Sequence, residues 1–487
     1  MSLLTRIGWI AAAAGALGAC TTVGPNFTAP AAPTAPGYAM DGDARASAVA
    51  LTSATRPMGP WWRALGSARL DAVMDEALAG NQTVTKALAA LDKARAEADS
   101  ARGGAAPKIE GTASAQRERI NITAFGFNGV PGFPPLSNPT INLLSVGASV
   151  SYDLDLFGGN RRRVETAAAA QVAEGHRADA AYLVLTGNVA MQAVRIAAVR
   201  DQIAAVKAIV ADDERNLSIV HAAQAAGGEA PSAATGARAQ LAADQALLPP
   251  LGQTLAQARH ALAGLVGKSP AEWTAPDFDA GEFAPPAQIP VSLPSILVRN
   301  RPDILAAEAD LHADTARIGV ATANLYPDIK LGAAFTQSAL TPGALFGYGA
   351  SGWNFGPTLT APIFNGGALK ADKRAAEAQA RISLAQYQQT VLTAFTQVSD
   401  VMSALAHDDE RLAALTNSLN IADAALRDAR AAYSLGGGPL SAVTNAQAQV
   451  DRARLQLVEV RAQRLMDIIQ LYAATATDWR EGAVAAR

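Results

Sequence analysis

From Thr140 the chain alternates, with Val146, Ala148, Val150, Tyr152, Leu154 and Leu156 on one side and Ser145, Gly147, Ser149, Ser151, Asp153 and Asp155 on the other. A period of two predicts a strand with one apolar face and one wet face. After Phe157-Gly158-Gly159 the period changes. A seam then recurs at alternating intervals of three and four through Tyr182, Leu185, Val189, Gln192, Ile196, Val199, Ile203, Val206, Val210, Asp213, Leu217 and Val220. That is the spacing of a coiled-coil stripe, on a helix of about 65 residues and roughly 100 Å. Neither surface can be buried by one such segment alone, so the pattern predicts association with copies of itself.

One copy lies in the same chain. Ala222-Ala223, Gly227-Gly228, Ser232-Ala233, Thr235, Ala237 and Ala239-Gln240 recur 209 positions later as Ala431-Ala432, Gly436-Gly437, Ser441-Ala442, Thr444, Ala446 and Ala448-Gln449. Phe157 matches Phe364, and Pro107-Lys108-Ile109 matches Pro327-Asp328-Ile329. The chain reads as a tandem duplication, each half running helix, strand, loop, strand, long helix, tight turn, helix. The offset falls from 220 to 207 along the hairpin, which places thirteen extra residues in the first inter-strand loop.

The first repeat is expected over 61–267, with a helix from about Ser67 to Arg102, a β-hairpin at about 108–156 and a helical tip at 226–232. The second is expected over 295–476, with a hairpin at about 328–363 and a tip at 435–441. Ile329, Leu331, Ala333 and Phe335, then Trp353, Phe355, Leu359, Ala361 and Ile363, alternate with small or polar residues. Each strand has the length that crosses a bilayer when tilted. A soluble half-buried sheet would alternate equally well, but no further strands are present to complete one. Four strands cannot close a water-filled barrel, and open edges are not tolerated in lipid, so an oligomer is expected, with three chains giving twelve strands. At each tip glycine ends one helix, proline stops its continuation, and Ser232 or Ser441 is placed to cap the next. The exposed tips, Gly227, Gly228, Ser232, Gly436, Gly437, Gly438, Leu440 and Ser441, are candidate docking points for a partner.

Arg6, an apolar run from Ile7 to Leu17 and Leu17-Gly18-Ala19-Cys20 describe a signal peptide over 1–19 followed by a lipobox-like cysteine. Cys20 is the only cysteine, so it is expected to carry lipid rather than a disulfide. Residues 20–60 read as a lipidated start and Pro/Ala-rich tether, 268–294 as an equatorial linker that returns the chain to the second repeat and packs around the middle of the helical region, and 477–487 as a tail. Trp61-Trp62 suits a membrane boundary or plain packing equally. A net charge of −3 and no basic tract with interleaved aromatics argue against nucleic acid. Only 5% of residues are aromatic, which favours long, closely approaching helices over a packed enzyme core.

No catalytic constellation is present. His176, His221, His260, His312 and His407 are isolated from one another, so neither a metal nor another cofactor is expected beyond the lipid. Asp212-Asp213-Glu214 and Asp408-Asp409-Glu410 read as solvated helix faces, and Asp153 and Asp155 as carboxylates of a strand lining water. Arg161-Arg162-Arg163 reads as a basic cluster at a strand-to-helix crossing near a membrane surface.

Several of these pieces resemble the outer membrane factor family of tripartite efflux systems, the TolC-like and NodT-type lipoprotein channels. They are Cys20 with Val23-Gly24-Pro25-Asn26-Phe27, Trp61-Trp62, Asp153-Leu154-Asp155-Leu156-Phe157-Gly158, Arg299-Asn300-Arg301-Pro302-Asp303-Ile304 and Ala361-Pro362-Ile363-Phe364-Asn365-Gly366-Gly367. The resemblance implies a mixed α and β membrane protein: a homotrimer with a twelve-stranded outer-membrane barrel continued by an α-helical coiled-coil tunnel in the periplasm. It further implies a passive, non-enzymatic exit duct, docked to a periplasmic adaptor and through it to an inner-membrane pump of the resistance-nodulation-division type. Related channels carry a gate aspartate where this chain has Asn445. An amide ring would lack the carboxylates' field, which predicts a closed state less sensitive to pH and divalent cations. A duct for protein or peptide secretion shares every feature so far, and a structural coiled-coil lipoprotein shares all but the paired strands.

Overall fold

A computed structural model describes residues 22–33, 37–40, 50–53, 60–121, 138–284, 288–291 and 294–475. Cys20 and the tail from 477 lie outside these residues. The chain forms two compact units, with dividing points inside helices. One unit comprises Met1–Ala29, Asp92–Ala173 and Glu308–Gln386; the other comprises Pro30–Leu91, Glu174–Ala307 and Tyr387–Arg487.

The first unit is built on a four-stranded antiparallel sheet. Its strands are β2 (Lys108–Arg119), β3 (Thr140–Asp153), β5 (Asp328–Ala339) and β6 (Ser351–Thr360), paired in the order β2-β3-β5-β6. The two hairpins of the duplication are thus joined through β3 and β5, and β2 and β6 are unpaired edges. Of the thirteen extra residues in the first hairpin, β3 takes up part: it has 14 residues against 10 in β6.

Helices begin or end at each strand. They are α2 (Gln82–Gly104) before β2, α3 (Gly159–Ala225) after β3, α7 (Pro302–Ala323) before β5 and α8 (Ala368–Ser434) after β6. The two long helices, α3 and α8, have 67 residues each.

The second unit is helical apart from a two-stranded parallel ribbon, β1 (Ala50–Ser53) with β4 (Gln288–Val291). It contains α1 (Ala68–Gly80), α4 (Pro231–Gln245), α5 (Leu248–Val266), α6 (Pro294–Asn300), α9 (Leu440–Thr475) and the greater part of α3 and α8. The core gathers Leu65, Leu70, Met74, Val189, Ile196, Leu262, Phe278, Leu297, Ile304, Val398, Leu405, Ile468 and Ile469. Seam positions Leu185, Val189, Ile196, Val199, Val206 and Val220 are all buried, as the period predicts. Ala190, Ala193, Ala197 and Ala394 are almost fully buried with them, so these helices approach closely where no large side chain stands between them.

Two local expectations change, and the linker and the Trp61-Trp62 pair gain a definite placement. The helix expected from Ser67 to Arg102 breaks at Asn81, whose Oδ1 accepts from the amides of Thr83 and Val84 and whose Nδ2 donates to the Leu265 carbonyl at 2.8 Å. An asparagine that caps one helix while bonding another makes the break a packing feature. The tether contains a strand, β1, because residues far along the chain supply its partner. The linker is a packed layer: Phe278 and Phe283 are buried, while Arg69 and Arg200 reach Asp277, Asp279 and Glu282 around them. Trp61 and Trp62 are packing residues, both buried, with Trp61 stacked on Tyr472 at 5.3 Å.

Candidate functional site

The sheet is the first part of the site. Register places Ile109, Ala113 and Ala115 of β2 beside Val150, Val146 and Leu144 of β3, and on the same face Ala148 beside Phe335, Ala333 beside Phe355, and Phe335 beside Trp353. The other face carries Glu110, Thr112, Ser114, Ser145, Ser149, Ser151, Lys330, Thr336, Ser338, Asn354 and Thr358. Ile109, Trp353, Phe355 and Leu359 are 64–79% exposed, an apolar surface that water does not support. Ser145 and Ser338 hydrogen-bond across the polar face at 2.9 Å.

Asp153 belongs to that polar face, paired in register with Lys330. Asp155 does not. It lies beyond the end of β3 with φ +46°, and its carboxylate accepts from the amides of Asn160 and Arg161 at 2.8 and 3.0 Å. The first turn of α3 has unpaired amides, and Asp155 satisfies two of them, so it secures the strand-to-helix crossing instead of lining a channel.

Arg162, expected in a basic cluster at the strand-to-helix crossing near a membrane surface, is 3% exposed. Its guanidinium donates to the carbonyls of Val23 and Gly24, to Asn26 Oδ1 at 2.7 Å and to Glu165 at 2.7 Å. Glu165 also meets His312 Nε2 at 3.0 Å, and the His312 ring stacks on Phe27 at 4.5 Å. Burial works to raise the Glu165 carboxyl, but the hydrogen bonds from His312 and Arg162 outweigh it and hold the group below its usual range. The Val-Gly-Pro-Asn-Phe run is therefore a clasp. Gly24 lies so close to Gly319 that a Cβ on it would stand 2.5 Å from the Gly319 Cα, and a Cβ on Gly319 would meet Arg162 at 2.7 Å.

The two helical turns of the second unit correspond bond for bond. Gly228 N–H donates to the Ala223 carbonyl and Gly227 N–H to that of Gln224; 209 residues on, Gly437 donates to Ala432 and Gly436 to Tyr433. Gly227 and Gly436 have φ +76° and +75°, the left-handed cap that glycine adopts without penalty. Ser232 and Ser441 are not caps: α4 starts at Pro231 and α9 at Leu440, which put both serines inside the first turn. Proline suits that first position, where its missing N–H costs nothing.

Gly227, Gly228, Ser232, Gly436, Gly437 and Ser441 are exposed, and Gly438 is half-buried. Leu440 is not available to a partner. It is buried against Val220 and Ala234, a cluster that brings the two turns together. The exposed apolar residue here is Leu435, at 87%, in the position that Ala226 holds in the first turn. Asn445 is exposed on α9.

The acidic runs are solvated only in part: Glu214 and Glu410 are exposed, Asp212, Asp213 and Asp409 are half-buried, and Asp408 is buried. Asp408 is 8% exposed and lies beside the Asp467 carboxyl, and its Oδ2 is buried without a hydrogen-bond partner. Burial first, and the Asp467 carboxyl second, push Asp408 up to about 7, against a lowering pull from Arg411. Asp213 is likewise pushed up to about 7, by burial first and then by its bond to Asp244 and the charges of Asp451 and Asp212. Gln447 bridges Asp212 and Asp451 at 3.3 and 3.0 Å and accepts from Arg430 at 2.8 Å. A group titrating near neutrality, Asp213 of α3, is thus influenced by the charge of Asp451 of α9. Sequence spacing could not show these pairs, because 31 residues separate Asp213 from Asp244 and 59 separate Asp408 from Asp467.

The family profile described as "Outer membrane efflux protein" matches residues 73–268 and 293–477, most of the chain. The chain belongs to that family. Among curated members it is similar to the outer membrane protein OprJ of Pseudomonas aeruginosa, 29% identical over 96% of this chain and 94% of that one. It is also similar to nodulation protein T of Rhizobium leguminosarum bv. trifolii, 27% identical over 93% and 92%. Among solved structures, the outer-membrane channel OprN superposes with a TM-score of 0.84 at 26% identity, over 94% of this chain and all of that one. The Campylobacter jejuni outer membrane channel CmeC gives 0.83 at 19% identity, over 94% and 95%, a likeness of fold alone. Within this outer membrane efflux family the buried Arg301 of the Asn-Arg-Pro-Asp run gains a structural role. It forks onto Asp303 at 2.9 and 2.7 Å and also donates to the Ala474 carbonyl and Gln397, tying three helices.

Proposed function

We propose that this chain is the outer-membrane exit duct of a tripartite efflux system, a passive conduit for small molecules delivered by an inner-membrane pump through a periplasmic adaptor. The observation that carries the reading is the sheet: a register that separates apolar from polar residues across four strands and leaves two edges unpaired. Edge β2 runs antiparallel to edge β6, so a neighbouring copy can continue the ladder, and three copies supply the twelve strands of a closed wall. The apolar face then meets lipid, and the polar face, with Asp153 and Lys330, lines water.

The chain works as a homotrimer with neither catalytic machinery nor a cofactor, held additionally by lipid at Cys20. The exposed glycine turns, with Leu435 beside them, are the adaptor's docking points. Asn445 narrows the closed mouth by amide hydrogen bonds, and its closed state responds less to pH and divalent cations than that of a carboxylate-gated relative. Related proteins are named for pyoverdine export, toluene efflux and antibiotic efflux, which fits a wall that selects little and a pump that chooses.

Photo-crosslinking in cells from a reactive residue replacing Gly437 tests the reading. Capture of an adaptor that pairs with an efflux pump supports it. Capture of an adaptor of a protein-secretion system moves the function to secretion. Trimers that form without any capture refute the docking point.

A further inference from the structure

The two hairpins end at different heights. The last β3–β5 pair is Leu144 with Ala339, whereas β2 and β3 continue together to the pair Arg119–Thr140. Four further residues, at ~3.4 Å each, carry that end ~14 Å past the end of β5. Arg117 and Arg119 stand on this projection. The pleat puts them on the face that carries Ile109, Ala113 and Ala115 lower down, while Gln116 and Glu118 fall on the other face. Both arginines are exposed, and the residues paired with them on that face, Asn142 and Thr140, are neutral.

An aromatic group marks the level below. Phe335 and Trp353 are paired on the face that carries the arginines, and Trp353 is 79% exposed. Aromatic rings concentrate where hydrocarbon gives way to headgroups. Two guanidinium groups beyond that belt, on the lipid side of the wall, occupy the headgroup layer. A guanidinium offers a planar fork that matches phosphate oxygens, and two of them at alternate positions of one strand lie ~7 Å apart.

We propose that Arg117 and Arg119 form a docking site for the phosphate groups of outer-leaflet lipid, one site on each copy of the chain. The site rests on the reading of the apolar face as lipid-facing. It fixes the height of the wall from the outer side and fills the groove at edge β2, where one copy meets the next.

The test uses the full-length, detergent-solubilised protein titrated with bisphosphorylated lipid A, and separately with the same lipid stripped of its phosphates, bound lipid being counted by native mass spectrometry. Wild type is expected to bind the phosphorylated lipid at least tenfold more tightly than the stripped one. R117A/R119A should lose that difference, and R117K/R119K should keep most of it. Equal binding of the two lipids by wild type, or an undiminished preference in R117A/R119A, overturns the site. Conductance of wild type in planar bilayers separates the two readings: a conducting protein with no phosphate preference refutes the site alone, and a non-conducting one refutes the wall and the site together.

Discussion

Replacing Asp408 by asparagine should stabilise the protein above neutral pH. In the folded chain burial first, and the neighbouring Asp467 carboxyl second, push Asp408 from 3.8 up to about 7. Between those values the folded state holds a proton that the unfolded state has released, so stability falls as pH rises and levels off above about 7. About three pKa units at 1.36 kcal/mol each bound the loss at ~4 kcal/mol, and water reaching the pair reduces it to on the order of 2 kcal/mol. The asparagine amide can donate to Asp467 without a proton from solution, beside Gln463, which already donates to the same carboxylate at 3.1 and 3.2 Å. D408N should therefore gain about 2 kcal/mol at pH 8 and little at pH 5. Asp213 supplies a second titration near 7, so about half of the wild-type pH slope should survive in D408N and vanish in D213N/D408N. Urea unfolding of the detergent-solubilised protein, followed by tryptophan fluorescence from pH 5 to 8.5, measures both quantities. A D408N midpoint below that of wild type at pH 8, or an unchanged slope, would refute the upward shift of Asp408.

Three further outcomes follow from the same geometry. R301A leaves Gln397 and the Ala474 carbonyl without this donor and breaks the fork onto the half-exposed Asp303, and should lower unfolding free energy by about 1.5–3 kcal/mol, with R301K recovering only part. G436A forces a side chain into the left-handed region at the second turn; it should cost about 1 kcal/mol and speed amide hydrogen exchange at Gly437. R162A removes the donor that holds Val23, Gly24 and Asn26, and should expose the 22–28 segment to limited proteolysis while the remainder stays resistant.

What could be read from the chain were features set by local period or by copying. Alternation located three strands of the sheet, the repeat aligned the poorly alternating β2 with β5, and it placed Gly227 and Gly436 in turns that prove to be bonded identically. The misreadings share one cause, a partner distant in sequence. Asp408 looks solvated until Asp467 faces it, Arg162 looks like surface charge until residues 23–26 wrap it, and β1 has no signal apart from β4. Leu440 resembled a free tip residue because its cover, Val220 and Ala234, belongs to the other turn. Ser232 and Ser441 were misplaced for a different reason: proline at Pro231 fixes the helix start itself, leaving serine no cap to make.

The clasp also sets a leash length. Thr22 packs against Gly158, and the Val23 amide donates to the Phe157 carbonyl at 3.1 Å, so the chain is pinned where β3 hands over to α3. A lipid on Cys20 would hang from that point by two residues, no more than about 7 Å of chain. A leash this short leaves the acyl chains no freedom to roam the leaflet. On the proposed reading of lipid and barrel, the acyl chains would gauge the depth of the wall, and inserting a flexible decapeptide between Cys20 and Thr22 would keep the protein on the membrane while erasing the gauge.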